Sequence, residues 1–228
     1  MPTTHIIIVA AGSGSRFGSP LPKQFCELRG LPVVMHAIEA LRRSLPDASC
    51  AIVVAPDRED YWHELCRQHR FDSPTVVVGG DTRWQSVKNA LDAAPADAEV
   101  VAIHDGARPL PSAAVIQAVT DALTEPTVHG AVPAVAVTDS LRMVTDSGSK
   151  PVDRSLLRAV QTPQVFRAEL LRQAYRLPYQ PTFTDDASVM EAAGFTAITL
   201  TEGSPDNIKI TNPRDIAIAE AIMQLSAQ

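Results

Sequence analysis

Four continuous apolar runs, spaced along the first half of the chain, constrain its fold most strongly. The runs are IIIVAA, CAIVVA, TVVVGG and VVAIHD. Uninterrupted runs of this length are typical of parallel strands that are buried on both faces of a sheet. Segments with helical spacing lie between them: PVVMHAIEALRRSL, DREDYWHELCRQH and TRWQSVKNALDAA. The alternation predicts an α/β fold in which helices flank a mostly parallel sheet.

This alternation breaks after residue 137, where short alternating segments surround a polar turn at residues 146–149. The pattern predicts a β-hairpin of roughly residues 136–160, inserted into a single domain that spans residues 1–228. A two-stranded hairpin is marginally stable in water. We therefore expect it to pack on another surface, such as a second subunit.

After the hairpin, the α/β pattern resumes. The segment TDDASVMEAAG predicts a helix with Thr184 as its N-cap and Gly194 as its stop signal, and FTAITLTEG and DNIKI predict strands. In the last helix, Asn212 is the expected N-cap and Pro213 the expected first residue.

The composition of the 228 residues is that of an ordinary globular protein, with 45% hydrophobic and 20% charged residues. The net charge of −6 argues against nonspecific binding to nucleic acid or to an anionic membrane. Cys26, Cys50 and Cys66 are too scattered for a zinc site, and their odd number in a loop-poor chain argues against a disulfide framework. Together with the absence of a charged leader, they favour a cytoplasmic protein with reduced thiols.

A glycine-rich loop, VAAGSGSRFGSPLPKQ, follows the first apolar run. It does not have the glycine spacing of a Walker loop. It also fails the dinucleotide fingerprint, because Phe17 stands where the third glycine is required, and prolines at positions 20 and 22 prevent an immediate helix.

The chemistry of this loop still favours a phosphate chain. Backbone N–H groups near Gly12 and Gly14 can approach an anion closely. Arg16 can bind phosphate oxygens through two parallel hydrogen bonds, and Lys23 supplies a compact charge. The loop therefore predicts a triphosphate site at the carboxyl end of the first strand.

The pattern AAGxGxRxG followed by PKQ resembles the opening of sugar-phosphate nucleotidyltransferases. Together with HDGARP, QTPQVF and DNIKIT, it resembles the 2-C-methyl-D-erythritol 4-phosphate cytidylyltransferases of the non-mevalonate isoprenoid pathway. The resemblance covers essentially the whole chain. It implies a Rossmann-like sheet and a homodimer in which each β-arm reaches into the neighbouring active site. The implied reaction transfers the cytidylyl group of CTP to methylerythritol phosphate and releases pyrophosphate.

The resemblance also implies a role for individual residues. The cytidine side of the site would comprise Ala10, Ala11, Gly12, Gly14, Gly80, Asp81 and Ser86. The catalytic cations would be Arg16, Lys23, Arg154 and Lys209, and the sugar-phosphate side would include Asp105, Arg108, Ser140 and Thr162. Mg²⁺ or another divalent cation would be held by Asp105 and Asp206. Ser140 stands where threonine is frequent in the family, and Gly106 where alanine is frequent.

Several of these residues have ordinary structural alternatives. Lys209 could lie on the wet face of a strand, and Asp105 could be a turn residue. Arg154 could be a surface charge, and Thr162 could simply end a strand. His104 is predicted to be structural, because adjacent strand residues face opposite ways.

Three other functions compete with the cytidylyltransferase. A ribitol-5-phosphate cytidylyltransferase shares the opening loop, although HDGARP and DNIKIT favour the methylerythritol enzyme. A noncatalytic nucleotide sensor could use the same fold. A dehydrogenase is disfavoured by the failed fingerprint at Phe17.

Overall fold

The structure is a computed structural model that describes residues 2–12 and 21–226. Two of the predicted site residues, Gly14 and Arg16, lie outside the described residues. The described part contains twelve strands and seven α-helices. The strands are β1 (Thr4–Val9), β2 (Glu27–Leu28), β3 (Leu31–Pro32), β4 (Ser49–Val54), β5 (Thr75–Val78), β6 (Val100–Asp105), β7 (Gly130–Ala136), β8 (Leu141–Thr145), β9 (Gly148–Val152), β10 (Arg158–Val160), β11 (Gln164–Arg167) and β12 (Ile198–Glu202). The helices are α1 (Val33–Ser44), α2 (Glu59–His69), α3 (Arg83–Ala93), α4 (Ala113–Ala122), α5 (Ala168–Ala174), α6 (Asp186–Ala192) and α7 (Arg214–Leu225).

Eight strands form the main sheet, in the order β10-β7-β11-β6-β1-β4-β5, with β12 also paired to β7. The pairs β1–β4, β1–β6, β4–β5 and β12–β7 are parallel, and β10 and β11 run antiparallel to their neighbours. The predicted Rossmann-like, mostly parallel sheet is confirmed. The four apolar runs correspond to β1, β4, β5 and β6.

Both faces of the sheet are covered by helices, and this explains the continuous apolar runs. Ile6 and Ile8 of β1 pack in one cluster with α1, α2 and α4. Ile7, on the opposite face of the same strand, packs with α3, α5 and α6. The central residues of β1 are buried, and Ile6, Ile7 and Ile8 fill both core clusters.

The predicted hairpin is also present. Strands β8 and β9 pair antiparallel with each other around Asp146 and Ser147, and they form a two-stranded sheet of their own. Met143 and Val144 on this hairpin are 60% and 85% exposed. Below, "the arm" means residues 138–156, which comprise β8, β9 and the segments that flank them.

Three predictions in the last third of the chain were wrong. DNIKI is not a strand. The helix α6 is capped by Asp185 instead of Thr184, because the Asp185 carboxylate accepts the Ser188 N–H at 2.9 Å. The last helix begins at Arg214, one residue later than expected, with Pro213 as its N-cap. Gly194 does follow the end of α6, with a φ of +89° that favours glycine.

None of the helices in the described part of the chain is long and apolar enough to cross a membrane. All three cysteines are free thiols.

Candidate active site

A cleft of about 380 Å³ opens at the carboxyl edge of the sheet. Strands β1 and β6 are parallel neighbours, and the register pairs Val9, the last residue of β1, with Asp105, the last residue of β6. The loops that follow these two strands therefore begin side by side and form the walls of the cleft. This is the usual location of a ligand in an open α/β sheet.

One wall of the cleft combines six residues that the sequence assigned to the nucleotide: Ala10, Ala11, Gly12, Gly80, Asp81 and Ser86. The first three follow β1, and the others lie between β5 and the first turns of α3. A Cβ atom on Gly79 would lie 2.6 Å from the Ala11 Cβ, so glycine allows these two segments to meet. The buried Ser86 hydroxyl accepts the Gly80 N–H at 3.1 Å and holds the second segment against α3.

Gln24 fixes the end of β1, a role that no local sequence pattern indicates. Its side chain is 3% exposed, and its amide nitrogen donates to the carbonyl oxygens of Ala10 at 2.6 Å and of Gly12 at 2.8 Å. A buried amide with two backbone partners orders the segment that it bridges. Its neighbour Lys23 begins a short 3₁₀ turn, Lys23–Phe25, and lines the same cleft.

Three cations surround the single carboxylate of Asp105 on the opposite wall. Lys209 Nζ lies 2.7 Å from Oδ2, Arg108 Nε lies 3.7 Å from the same oxygen, and Arg83 Nε lies 3.6 Å from Oδ1. Burial alone would raise the pKa of Asp105. The charges of Arg83, Lys209 and Arg108 outweigh that effect and hold the pKa well below its ordinary value. Asp105 is therefore an anion at neutral pH, and positive charge is in excess around it.

Side-chain and backbone contacts hold the segment of residues 206–210 in place, although it is not a strand. The Arg108 guanidinium donates to the Asn207 carbonyl oxygen at 2.7 Å, and the buried Asn207 amide donates to the Thr162 carbonyl oxygen at 2.9 Å. The Ile210 N–H donates to the Ala107 carbonyl oxygen at 2.8 Å. These bonds fasten the segment to the loop after β6 and bring Lys209 to Asp105. The alternation of Ile208, Lys209 and Ile210 misled the prediction, because the segment is held by hydrogen bonds to neighbouring loops and buries Asn207 and Ile210 instead of alternate residues.

Thr162 and His104 form a buried layer of hydrogen bonds next to Asp105. The Thr162 hydroxyl accepts the Asp105 N–H at 3.0 Å and lies 3.1 Å from Nδ1 of His104. Since Nε2 of His104 lies 2.9 Å from the Arg108 carbonyl oxygen, the ring is fixed with its proton on Nε2. Burial lowers the pKa of His104 to about 4. His104 is structural, as predicted, and Thr162 is buried behind Asp105 instead of lining the cleft.

The remaining assigned residues lie elsewhere in the described chain. Asp206 is exposed and does not line the cleft. Ser140 and Arg154 lie on the arm, where both are exposed, and the Arg154 guanidinium donates to the Thr138 carbonyl oxygen. The cleft therefore gathers the nucleotide residues, Lys23, Asp105 and Lys209, but not the side chains of the arm.

A larger hollow of about 880 Å³ lies near the start of β6, at the opposite edge of the sheet. Two of its three arginines are already used by the fold: Arg167 donates to the carbonyl oxygens of Val128 and Leu123, and Arg172 donates to that of Pro95 at 2.7 Å. The smaller cleft is the better candidate for a site, because its cations converge on an open space.

The cleft alone does not contain a complete metal site. Among the residues that the structure describes, no group of three His, Cys, Asp or Glu side chains is placed to hold a metal ion. One carboxylate at the rim of a phosphate site does fit Mg²⁺, which commonly binds one or two carboxylates together with phosphate oxygens of a substrate. Asp105 is such a carboxylate.

Comparisons with known proteins agree with this geometry. The family model of 2-C-methyl-D-erythritol 4-phosphate cytidylyltransferase, IspD, matches residues 4–225. The enzyme of that name from Porphyromonas gingivalis is 46% identical over 222 residues, which cover 96% of this chain and 97% of that protein. The one from Bacteroides thetaiotaomicron is 44% identical over 220 residues, or 96% and 98%.

Solved structures agree as well. The 4-diphosphocytidyl-2C-methyl-D-erythritol synthase of Anaerococcus prevotii superposes with a TM-score of 0.82 at 26% identity, over 98% of this chain and 99% of that one. The cytidylyltransferase of Thermus thermophilus superposes with a TM-score of 0.74 at 29% identity, over 96% and 98%. The chain belongs to the 2-C-methyl-D-erythritol 4-phosphate cytidylyltransferase family.

Proposed function

We propose that this cleft catalyses the reaction of the family, the transfer of the cytidylyl group of CTP to 2-C-methyl-D-erythritol 4-phosphate. The products are pyrophosphate and 4-diphosphocytidyl-2-C-methyl-D-erythritol. The observation that carries the proposal is the convergence of Lys23, Asp105 and Lys209 on the cleft that the six nucleotide-side residues line.

The chemistry needs charge neutralisation more than proton transfer. The second pKa of a phosphate monoester is about 6, so the attacking group is largely a dianion at neutral pH and needs no general base. The task of the protein is to align two polyanions and to stabilise the charge that develops on the α-phosphate and the leaving group. A cleft rich in fixed cations meets this requirement.

Each cation has a position consistent with a separate role. Lys23 follows the glycine-rich loop and would contact the triphosphate, together with Arg16. Lys209 and Arg108, which lie next to Asp105, would align the attacking phosphate. The Arg108 Nε is buried and lies 3.7 Å from Oδ2 of Asp105, so Arg108 would act on the phosphate through its charge.

Asp105 would hold Mg²⁺ together with phosphate oxygens of CTP, and Asp206 remains a predicted second ligand. When bound, the ion would supply further positive charge to the triphosphate.

The arm would complete the site of a second subunit. Met143, Val144 and Leu156 are 60%, 85% and 81% exposed, so the arm leaves apolar surface uncovered in one chain. Ser140 and Arg154 lie on this exposed segment. We propose a homodimer in which each arm brings Arg154 and Ser140 to the sugar-phosphate side of the partner's cleft. A cytoplasmic location fits the three free thiols.

A pyrophosphate-release assay tests the function directly. Four nucleoside triphosphates are each combined with methylerythritol phosphate and with ribitol 5-phosphate. We expect release only from CTP with methylerythritol phosphate. Release with ribitol 5-phosphate alone would assign the chain to the other cytidylyltransferase. Binding of CTP without any release would indicate a sensor.

A further inference from the structure

Arg83 lines the cleft, and its guanidinium is held by the buried carboxylate of Asp186. Its two terminal nitrogens donate to the two carboxylate oxygens of Asp186, at 2.9 Å and 2.7 Å. Its Nε lies 3.6 Å from Oδ1 of Asp105. One arginine thus bridges a buried carboxylate on α6 and the carboxylate that faces the cleft. A paired, planar guanidinium of this kind fixes the direction of both partners.

Asp186 is fully buried and is satisfied on its other side by Tyr175. The Tyr175 hydroxyl donates to Oδ1 of Asp186 at 2.6 Å, and both residues have no more than 2% exposure. Burying an ion pair is a poor way to gain stability, because the desolvation of two charges offsets their attraction. A pair kept in such a place is better explained by what it orients.

The start of α6 is itself tied to the sheet. The buried Gln164 of β11 accepts the Ala187 N–H at 3.1 Å and donates to Asp185 at 2.9 Å. Since β11 pairs with β6, which ends at Asp105, Asp186 is held in a fixed position relative to Asp105. Asp186, which binds both Tyr175 and Arg83, is therefore rigidly held by the sheet.

We propose that Arg83 is a positioning residue, and that Asp186 and Tyr175 hold it so that it sets the orientation of the Asp105 carboxylate. Arg83 faces Oδ1, and this leaves Oδ2 to Lys209 and Arg108. A rotated Asp105 would move Lys209 away from the attacking phosphate. The inference rests on the proposed role of the cleft. It adds three residues, Arg83, Asp186 and Tyr175, that are not among the assigned site residues.

Three variants test the proposal, with pyrophosphate release as the readout. Asp186→Asn keeps the shape but removes the charge, and we expect kcat to fall about tenfold, the lower end for loss of an outer orienting partner. The KM for CTP should change less than twofold, because the nucleotide wall is untouched. Tyr175→Phe should lower kcat by about threefold. The control is Glu191→Gln, an exposed carboxylate on the same helix, and it should leave kcat unchanged.

A double-mutant cycle separates positioning from a structural role. In an Asp105→Asn background, Asp186→Asn or Tyr175→Phe should lower kcat/KM no further, because the group through which they act is already lost. A further drop equal to that in the wild-type background would overturn the proposal, and so would an unchanged kcat in the single variants. If Asp186→Asn fails to fold, the Tyr175→Phe cycle decides. Failure of the wild type to release pyrophosphate would instead contradict the proposed function.

Discussion

The cleft and the arm both carry cations, but the two regions hold them in opposite ways. In the cleft, Arg83, Arg108 and Lys209 meet one carboxylate within 3.7 Å, and hydrogen bonds from buried groups support them. On the arm, Arg154 is exposed and donates to the carbonyl oxygen of Thr138. The first arrangement is preorganised within one chain. The second arrangement is open to solvent and does not line the cleft of its own chain.

This difference indicates a division of labour between the regions. Electrostatic stabilisation is strongest where the charges are fixed before the substrate arrives, and the cleft provides such charges. The arm has exposed apolar side chains and an exposed arginine, as a surface does before it docks. The comparison therefore predicts that substitutions in the cleft affect stability and chemistry within one subunit, and that substitutions on the arm act across subunits.

The largest effect on stability is expected from Asp105→Asn. The change leaves three cations without their shared anion, and breaking a buried pair typically costs about 3–5 kcal/mol. We expect a loss of about 3 kcal/mol, near the lower end, since Lys209 can turn towards solvent. Thermal unfolding checks this. The matched arm variant is Asp153→Asn, an exposed carboxylate bonded to Ser155, and its melting temperature should equal that of the wild type. Equal melting temperatures for all three proteins would contradict the preorganised cleft.

The largest effect on catalysis is expected from Lys23→Ala. Loss of one preorganised charge donor lowers kcat on the order of 10²-fold or more, by analogy with oxyanion-hole deletions. Steady-state pyrophosphate release checks this. The control is Lys88→Ala, a half-buried lysine of α3 that pairs with Asp92 on the helix surface. An unchanged kcat with only a raised KM would mean that Lys23 binds substrate without stabilising the transition state.

A mixing experiment tests whether the arm serves the partner's cleft. Lys23→Ala and Arg154→Ala homodimers should each be nearly inactive. After they are unfolded together in equal amounts and refolded, about half of the dimers are mixed, and each mixed dimer has one intact site under two-fold symmetry. Activity should then recover to about a quarter of the wild-type value. The refolded mixture would stay inactive if Arg154 served its own chain.

The sequence predicted the sheet and the residues that line the cleft better than it predicted the buried residues that hold the lining in place. Continuous apolar runs identify β1, β4 and β6, because these strands are buried on both faces of the sheet. The edge strand β5 has a similar run, although its residues are exposed or partly buried. The roles of Gln24, Asn207 and Asp186 depend on partners 12 to 103 residues away in the chain, and no local pattern encodes them. Arg83 did leave a signal, since a cation in the first turn of a helix is unfavourable unless something else holds it.

The smallest expected effect is a pH dependence of stability that arises in the main sheet and not in the arm. His5 of β1 is 4% exposed, and its Nδ1 lies 2.7 Å from the Ser49 hydroxyl. Burial, together with the charge of Arg172, lowers its pKa from 6.5 to about 4. As the pH falls, His5 is protonated in the unfolded chain before it is protonated in the folded chain. The contribution of neutral His5 to the free energy of unfolding is therefore fully present above pH 6.5 and is lost as the pH falls towards 4.

Between pH 7 and pH 5.5, we expect His5 to reduce the free energy of unfolding by about 1 kcal/mol. Urea denaturation of the wild type and of His5→Gln at both pH values measures this effect. The variant should lose less stability than the wild type over the interval, and His104, whose pKa is lowered in the same direction, accounts for part of the remaining loss. Residues 138–156 contain no histidine, so the arm adds nothing to this pH dependence. An identical loss in both proteins would show that His5 is not the group that titrates.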